Sequence, residues 1–356
     1  MTRDELVKLV KGGESINEMD VSKIDCTNAD LSGGIFVKSN LSGNNFTGAN
    51  LKESNFIDCI ISNAIFSKAA FSKVSFVNCE LSHGVFLDTD VSDVNFVNCT
   101  LLKADFRKAN LFQANFVEPN LQESNLSEAN LHYTNFVSAN LSNAVLTTAN
   151  MDRTNFIETN FEGVELRSAN INQCVFQAPI LNGQNFSGMH LSKTQFRDAQ
   201  MSDCDFRNAN LVQTSFMNAD LSNSRFDEAD ATMAIFHGSQ LSGASFKKTK
   251  LEKASMNESN LTDAVFLDAN LTQAQMADVI CERTVLSGSD LTYADLSHAN
   301  LRDADLSNTG LFRVNLHEIL DQNTIWSGSN KKLALGMDEK RLKAEQWQPK
   351  QRSENT

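Results

Sequence analysis

Seven cysteines (Cys26, Cys59, Cys79, Cys99, Cys174, Cys204 and Cys281) and six histidines (His83, His132, His190, His237, His298 and His317) carry the chain's capacity for nucleophilic, metal-binding and proton-transfer chemistry. Their spacing does not organise that capacity. No histidine has a cysteine or a second histidine at metal-ligand spacing. No phosphate-binding loop, nucleophile elbow or dinucleotide fingerprint occurs anywhere in the chain. Catalytic domains build pockets and turns from Tyr, Trp and Pro, and only two, two and three of these are present, beside 24 Phe. The expectation is a protein that is not an enzyme, with no catalytic residue, no cofactor and no metal.

The elements that would hold these residues follow from one rule. Every fifth position from Val21 to Leu316 is Leu, Phe, Ile, Val, Met or Cys, with Ala231 the one small exception, giving 60 units without an insertion. Two residues before each centre stands a small residue, as at Ala29, Ala49, Ala109 and Ala149. Between the two, Asn or Asp is common. Neither the helical period of about 3.6 nor the strand period of about 2 yields a strict five. A solenoid that turns a corner every five residues does.

A longer period sets the number of sides. Twenty of the 24 Phe lie at positions ending in 6, whereas Leu dominates those ending in 1. One residue after the centre, Val37, Ile57, Val77, Val97, Val117, Val137 and Ile157 recur every twenty. The positions ten further on are mostly polar: Thr47, Ser67, Leu87, Arg107, Ser127 and Thr147. Twenty residues therefore make one turn of four sides, and 60 units make about 15 coils, roughly 70 Å long at about 4.8 Å per coil.

Units such as Ala29-Asp30-Leu31-Ser32-Gly33, Ala49-Asn50-Leu51-Lys52-Glu53 and Ala304-Asp305-Leu306-Ser307-Asn308 resemble the pentapeptide-repeat family, over some 300 of the 356 residues. The resemblance implies an all-β solenoid, a right-handed quadrilateral parallel β-helix. Its central and small residues would point inward and the other three outward. All seven cysteines then fall inside as small apolar groups, parallel in direction and so disfavoured as disulfides. All six histidines fall outside. Free thiols suit a reducing compartment.

The expected organisation is a capping helix over 1–15, the β-helix over 16–318, and a cap with a short helix and polar tail over 319–356. Thr2 and Glu5 form a capping-box pattern and Gly12-Gly13 a stop. The second helix is expected around Met337–Trp347. One stretch breaks the pattern. Pro179, Gln184 and Met189 replace small inward residues in succession, predicting a bend or bulge that divides the rod near residue 180.

Function would then lie on the skin. The side centred on Val21 and Leu41 carries nine acids and four bases, and the adjoining side centred on Phe36 and Phe56 carries eight and two. That second side also bears the ladder from Val37 to Ile157, expected to be a partner surface or a homodimer seam. The side centred on Leu31 and Leu51 holds the off-register aromatics Phe112, Tyr133, Tyr293 and Phe312, candidate anchors for a partner.

Two readings follow. The first is a rigid protein-protein interaction scaffold. Residues 5–15 (ELVKLVKGGES), 311–318 (LFRVNLHE) and 344–349 (AEQWQP) resemble pentapeptide proteins that accompany bacterial type VI secretion components. This resemblance implies an adaptor, loading factor or effector whose partners are secretion components. The second is a DNA mimic acting on a type II topoisomerase, by resemblance to the quinolone-resistance members. The net charge of −13 argues against direct binding of nucleic acid. No run of 18 apolar residues offers a membrane span, and the mixed charges of residues 1–10 do not suit a secretory signal. The expected location is the bacterial cytoplasm.

Overall fold

The computed structural model describes residues 1–347; the polar tail and the end of the 344–349 motif lie outside the described residues. Helix α1 (Arg3–Lys11) starts at a complete capping box, with the Glu5 amide donating to Thr2 Oγ1 and the Thr2 amide donating to Glu5 Oε2 at 2.7 Å. It lays Leu6 and Val10 on the first coil, where both are buried. A capped amphipathic helix covers the apolar end that a stack of repeats would otherwise expose.

From there the chain winds as a parallel all-β solenoid. Ten short strands, β1 (Ile16–Asn17), β2 (Ile35–Val37), β3 (Asn55–Ile57), β4 (Ser75–Val77), β5 (Asn95–Val97), β6 (Asn115–Val117), β7 (Asn135–Val137), β8 (Asn155–Ile157), β9 (Val175–Gln177) and β10 (Gln195–Arg197), form one sheet in chain order. Each strand pairs in register with the residue twenty further on, as Phe36 with Phe56 and Val37 with Ile57. The other sides pair by single parallel bridges, Asp20 with Asn40, Asp25 with Asn45 and Asp30 with Asn50. The coil count differs from the expected 15: the strand ladder makes nine turns. Only one side keeps three consecutive residues extended, and beyond Arg197 the coils continue as single bridges as far as Asn315 with Leu335.

The local chemistry explains why the corner recurs. At the second residue past the centre the backbone turns left-handed, with φ of 59° at Asn63, 57° at Asn218 and 59° at Tyr133. Asn and Asp tolerate that region best. On the sides without the strand ladder most corners are closed by the amide of the small residue donating to the preceding centre, as from Ala49 to Phe46 at 2.9 Å. The Asn or Asp before each centre does two jobs. Asn45 Oδ1 accepts from the Thr47 amide at 3.0 Å, while the amide group of Asn115 donates to Asn95, and that of Asn135 to Asn115 at 2.9 Å. This explains why Asn or Asp is common before the centre.

Inside, Phe stacks on Phe. Ring centroids lie 4.7 Å apart for Phe36 and Phe56 and 4.6 Å for Phe86 and Phe106, nearly parallel in both cases. The stacks of opposite walls meet edge to face, Phe96 against Phe106 at 6.1 Å and 87°. Such pairs contribute about 0.5–1.5 kcal/mol beyond their buried area. Rings meeting across the axis fill the bore. Where the small residue is Thr, its hydroxyl commonly donates to a carbonyl of the coil before, as Thr154 does to Leu131 at 2.6 Å.

The register loosens where a bulky ring enters a leucine column. Phe71 and Phe161 are the two Phe at such positions, and the bridges 70–90 and 160–180 are missing beside them. Around Phe161 the loss extends to 145–165, 165–185 and 170–190. The expected irregularity at 179–189 thus begins earlier, near residue 161. Helix α2 (Glu339–Glu345) closes the far end, capped by Asp338, whose carboxylate accepts from Lys340 and Arg341 amides.

Candidate functional site

The Val37–Ile157 ladder lies along β2–β8, each side chain stacked on the next through strand register. Ile57 is exposed and Val37, Val77, Val97, Val117, Val137 and Ile157 are half-buried. At about 4.8 Å per strand this is an apolar strip of roughly 30 Å. The asparagines Asn95, Asn115, Asn135 and Asn155 flank it, their side-chain amides linked in a hydrogen-bonded row. The strip ends at Gln177 and Arg197.

The aromatic side resolves into two clusters of one design. Phe112, His132 and Tyr133 pack together, with centroids 5.8 Å apart for Phe112 and His132 and 4.2 Å for His132 and Tyr133. Arg153 lies over the Tyr133 ring at 5.5 Å and donates to its hydroxyl at 2.5 Å. In the second, Tyr293 meets Phe312 edge-on at 5.6 Å, and Arg313 lies over Tyr293 at 5.9 Å. Tyr133, Tyr293 and Phe312 are exposed and Phe112 half-buried. Arg313 was legible in the sequence, one coil from Tyr293, whereas Arg153 escaped it although it follows Tyr133 by the same twenty residues, one full turn.

A third constellation corrects the sequence reading of the histidines. His317 is buried rather than outward, because α2 folds back across the last coils and covers it. The Asp338 amide donates to His317 Nδ1 at 3.1 Å, so Nε2 carries the hydrogen and donates to Glu345 Oε2 at 3.2 Å. His298 Nε2 lies 3.4 Å from Glu345 Oε1, which accepts from Arg341 Nε at 2.6 Å. The Arg341 bond, with His317 and His298, holds the Glu345 carboxyl down at about 2.

His298, His317 and Glu345 bring three potential metal-ligating atoms within 4.8 Å of one another. Two features oppose a cation there. The His317 nitrogen that faces the cluster carries a hydrogen, and the Arg341 guanidinium already supplies the positive charge. The arrangement works as a latch for α2.

The cysteines are all free and buried. Burial raises the thiols of Cys26 and Cys99 to about 11 and those of Cys204 and Cys281 to about 12. Protonated, enclosed thiols are poor nucleophiles and poor ligands. Among the described residues no helix is long and apolar enough to cross a membrane.

A tightly filled rod of five-residue units, four to a turn, defines a solenoid repeat protein whose groups able to meet a partner lie on its outer faces. A family model of pentapeptide repeats in eight copies matches residues 24–63, 109–147, 139–177, 239–276, 269–308 and 280–317, together more than half of the chain. A second, for a pentapeptide repeat region, matches 49–126 and 180–256. The chain belongs to the pentapeptide-repeat family.

No curated protein matches it. Among solved structures it is similar to QnrB1, a plasmid-mediated fluoroquinolone resistance protein, at 18% identity over 55% of this chain and 91% of that one, with a TM-score of 0.37. It is similar to HetL, involved in heterocyst differentiation regulation in Nostoc sp. strain PCC 7120, at 22% identity over 78% of this chain and 98% of that one, TM-score 0.20. A pentapeptide repeat protein of the Arabidopsis thaliana thylakoid lumen is 29% identical over 35% of this chain and 68% of its own, TM-score 0.21.

Proposed function

We propose that the protein is a non-enzymatic, rigid scaffold that docks a protein partner along the Val37–Ile157 face. The single observation that carries this is the ladder itself. Seven β-branched side chains stand in register on the outside of one side, where the same position on the two neighbouring sides is polar apart from Leu102 and Phe112. A continuous apolar strip that reaches the surface, even half-buried, marks contact. The filled core gives the strip its stiffness, so binding loses little order at the surface.

The finer form of this reading is an adaptor, loading factor or effector of a bacterial type VI secretion system, working in the cytoplasm where seven free thiols stay reduced. It rests on the terminal motifs noted above. Capture from a bacterial lysate with the intact chain and with the double variant Val77→Lys, Val97→Lys tests it. A secretion component recovered by the first and lost by the second supports the scaffold. Equal recovery by both would remove the ladder from the account.

The acidic pair of sides favours a second reading, mimicry of DNA toward a type II topoisomerase. Their combined net charge is −11. Spread over about 70 Å, that is roughly one charge per 6 Å, against about one per 1.7 Å for duplex DNA. The magnitude ranks mimicry second. Recovery of gyrase in undiminished yield by the lysine variant would reverse the ranking.

A further inference from the structure

Between the coils of residues 161–175 and 181–195 the solenoid is open on two of its four sides and loosened on a third, where Gln173 still donates to the Ser192 carbonyl at 3.4 Å and Thr194 Oγ1 to the Ile171 carbonyl at 2.8 Å. Where the coils are closed, an amide at a centre donates to the carbonyl nineteen residues on, as Leu141 does to Asn160 at 2.9 Å. By that register Phe161 and Gly163 should donate to Ile180 and Asn182, Leu166 to Asn185, and Ile171 to His190. None of these bonds forms, and neither do the return bonds from the Ile180, Asn185 and His190 amides. The Val164 carbonyl takes a substitute, the Gln184 side chain at 2.7 Å.

The fourth side stays shut. β8, β9 and β10 keep full register, and Phe156, Phe176 and Phe196 stack at 5.0 and 5.1 Å. The coils therefore part like a book whose spine is this strand ladder. Three cavities follow one another round the open edge, of about 450 Å³ beside Phe161 and Ile180, 290 Å³ beside Leu166 and Gln184, and 330 Å³ beside Ala169 and His190.

The causes are local. Phe161 sits in a leucine column, Pro179 breaks the small-residue column, and Gln184 and Met189 replace small residues that would let the coils close.

One lip of this seam thus offers backbone amides at Phe161 and Gly163, and the other offers carbonyls at Ile180 and Asn182. Donors and acceptors two residues apart are what an added β-strand pairs with. A polypeptide backbone carries complementary groups at the same interval. We propose that the seam is a docking slot for an extended peptide segment of a partner protein, which enters between the coils and completes the missing ladder on the 161/181 side. That side has the largest cavity, an apolar contact in the exposed Ile180, and Glu162 at its margin, which favours a segment bearing a basic residue. The slot lies beyond the end of the valine ladder and does not depend on it.

The test compares the full chain with a variant that closes the seam, Phe161→Leu with Gln184→Ala and Met189→Ala. Closure itself is read from slower amide exchange of Ile180 and Asn185. A random ten-residue peptide library displayed on phage is selected against each protein. The expected result is enrichment of peptides that bind the intact chain at least tenfold more tightly than the closed variant and lose binding when alternate amides are N-methylated. No enrichment, or peptides that bind both proteins alike, would overturn the proposal. So would concentration-dependent dimerisation of the intact chain that the closed variant lacks, because a second copy would then occupy the slot.

Discussion

His317 donates from Nε2 to Glu345 across 3.2 Å, tying the last coil of the rod to the final turn of α2. Glu345 is the knot, since Arg341 and His298 meet the same carboxylate. Its carboxyl is held near 2, well below the ordinary carboxylate range, so the latch is complete above that range and is lost as pH falls toward 2. Hydrogen exchange of the α2 amides should be unchanged between pH 7 and pH 5 after correction for intrinsic rate, and should accelerate in acid. Glu345→Ala should show the acid rate already at neutral pH while the amides of β2–β8 stay protected.

The thiols offer an independent check on the packing. Burial raises Cys26, Cys99, Cys204 and Cys281 to about 11 or 12, so the thiolate fraction of those four at pH 8 is very small, and at Cys59, whose thiol is drawn down by its bond with Cys79, enclosure alone keeps a reagent out. Titration with a thiol reagent should find none of the seven reacting in the native protein and all seven after denaturation in guanidinium. Rapid reaction of two or more in the native state would mean that the bore is not filled.

Phe71 tests the wedge explanation of the open seams on a simpler case. There a single side is open, with the 70–90 bridge missing. Phe71→Leu should restore the leucine column and let the Asp90 amide reach the Ala69 carbonyl, the bond that the register prescribes. One such bond contributes about 1 kcal/mol, so exchange of that amide should slow by roughly five- to tenfold. An unchanged rate would mean that ring size is not the cause.

The four-sided winding was legible because a residue's direction, inward or outward, depends on its place in the unit alone. Val37 and Val97 could be placed on one face by counting twenties, and the structure stacks them so. What escaped counting were contacts between columns. His298 and His317 stand nineteen apart and are joined by the winding itself, the His298 amide donating to the His317 carbonyl at 2.8 Å, but the carboxylate they share comes from α2, which no counting of units places. The seam was half legible. Pro179, Gln184 and Met189 stood out as misfits, whereas Phe161 passed as one more apolar centre, although a ring in a leucine column parts the coils on either side.

The central claim is that a partner meets the valine face. Site-specific photocrosslinking tests it most directly, with a benzophenone amino acid placed at Val117 on the ladder or at Ser127 on the opposite side, in cells that make the full chain. The account predicts a discrete protein adduct from position 117 and none from 127. An adduct from 127 alone, or equal adducts from both, would contradict it.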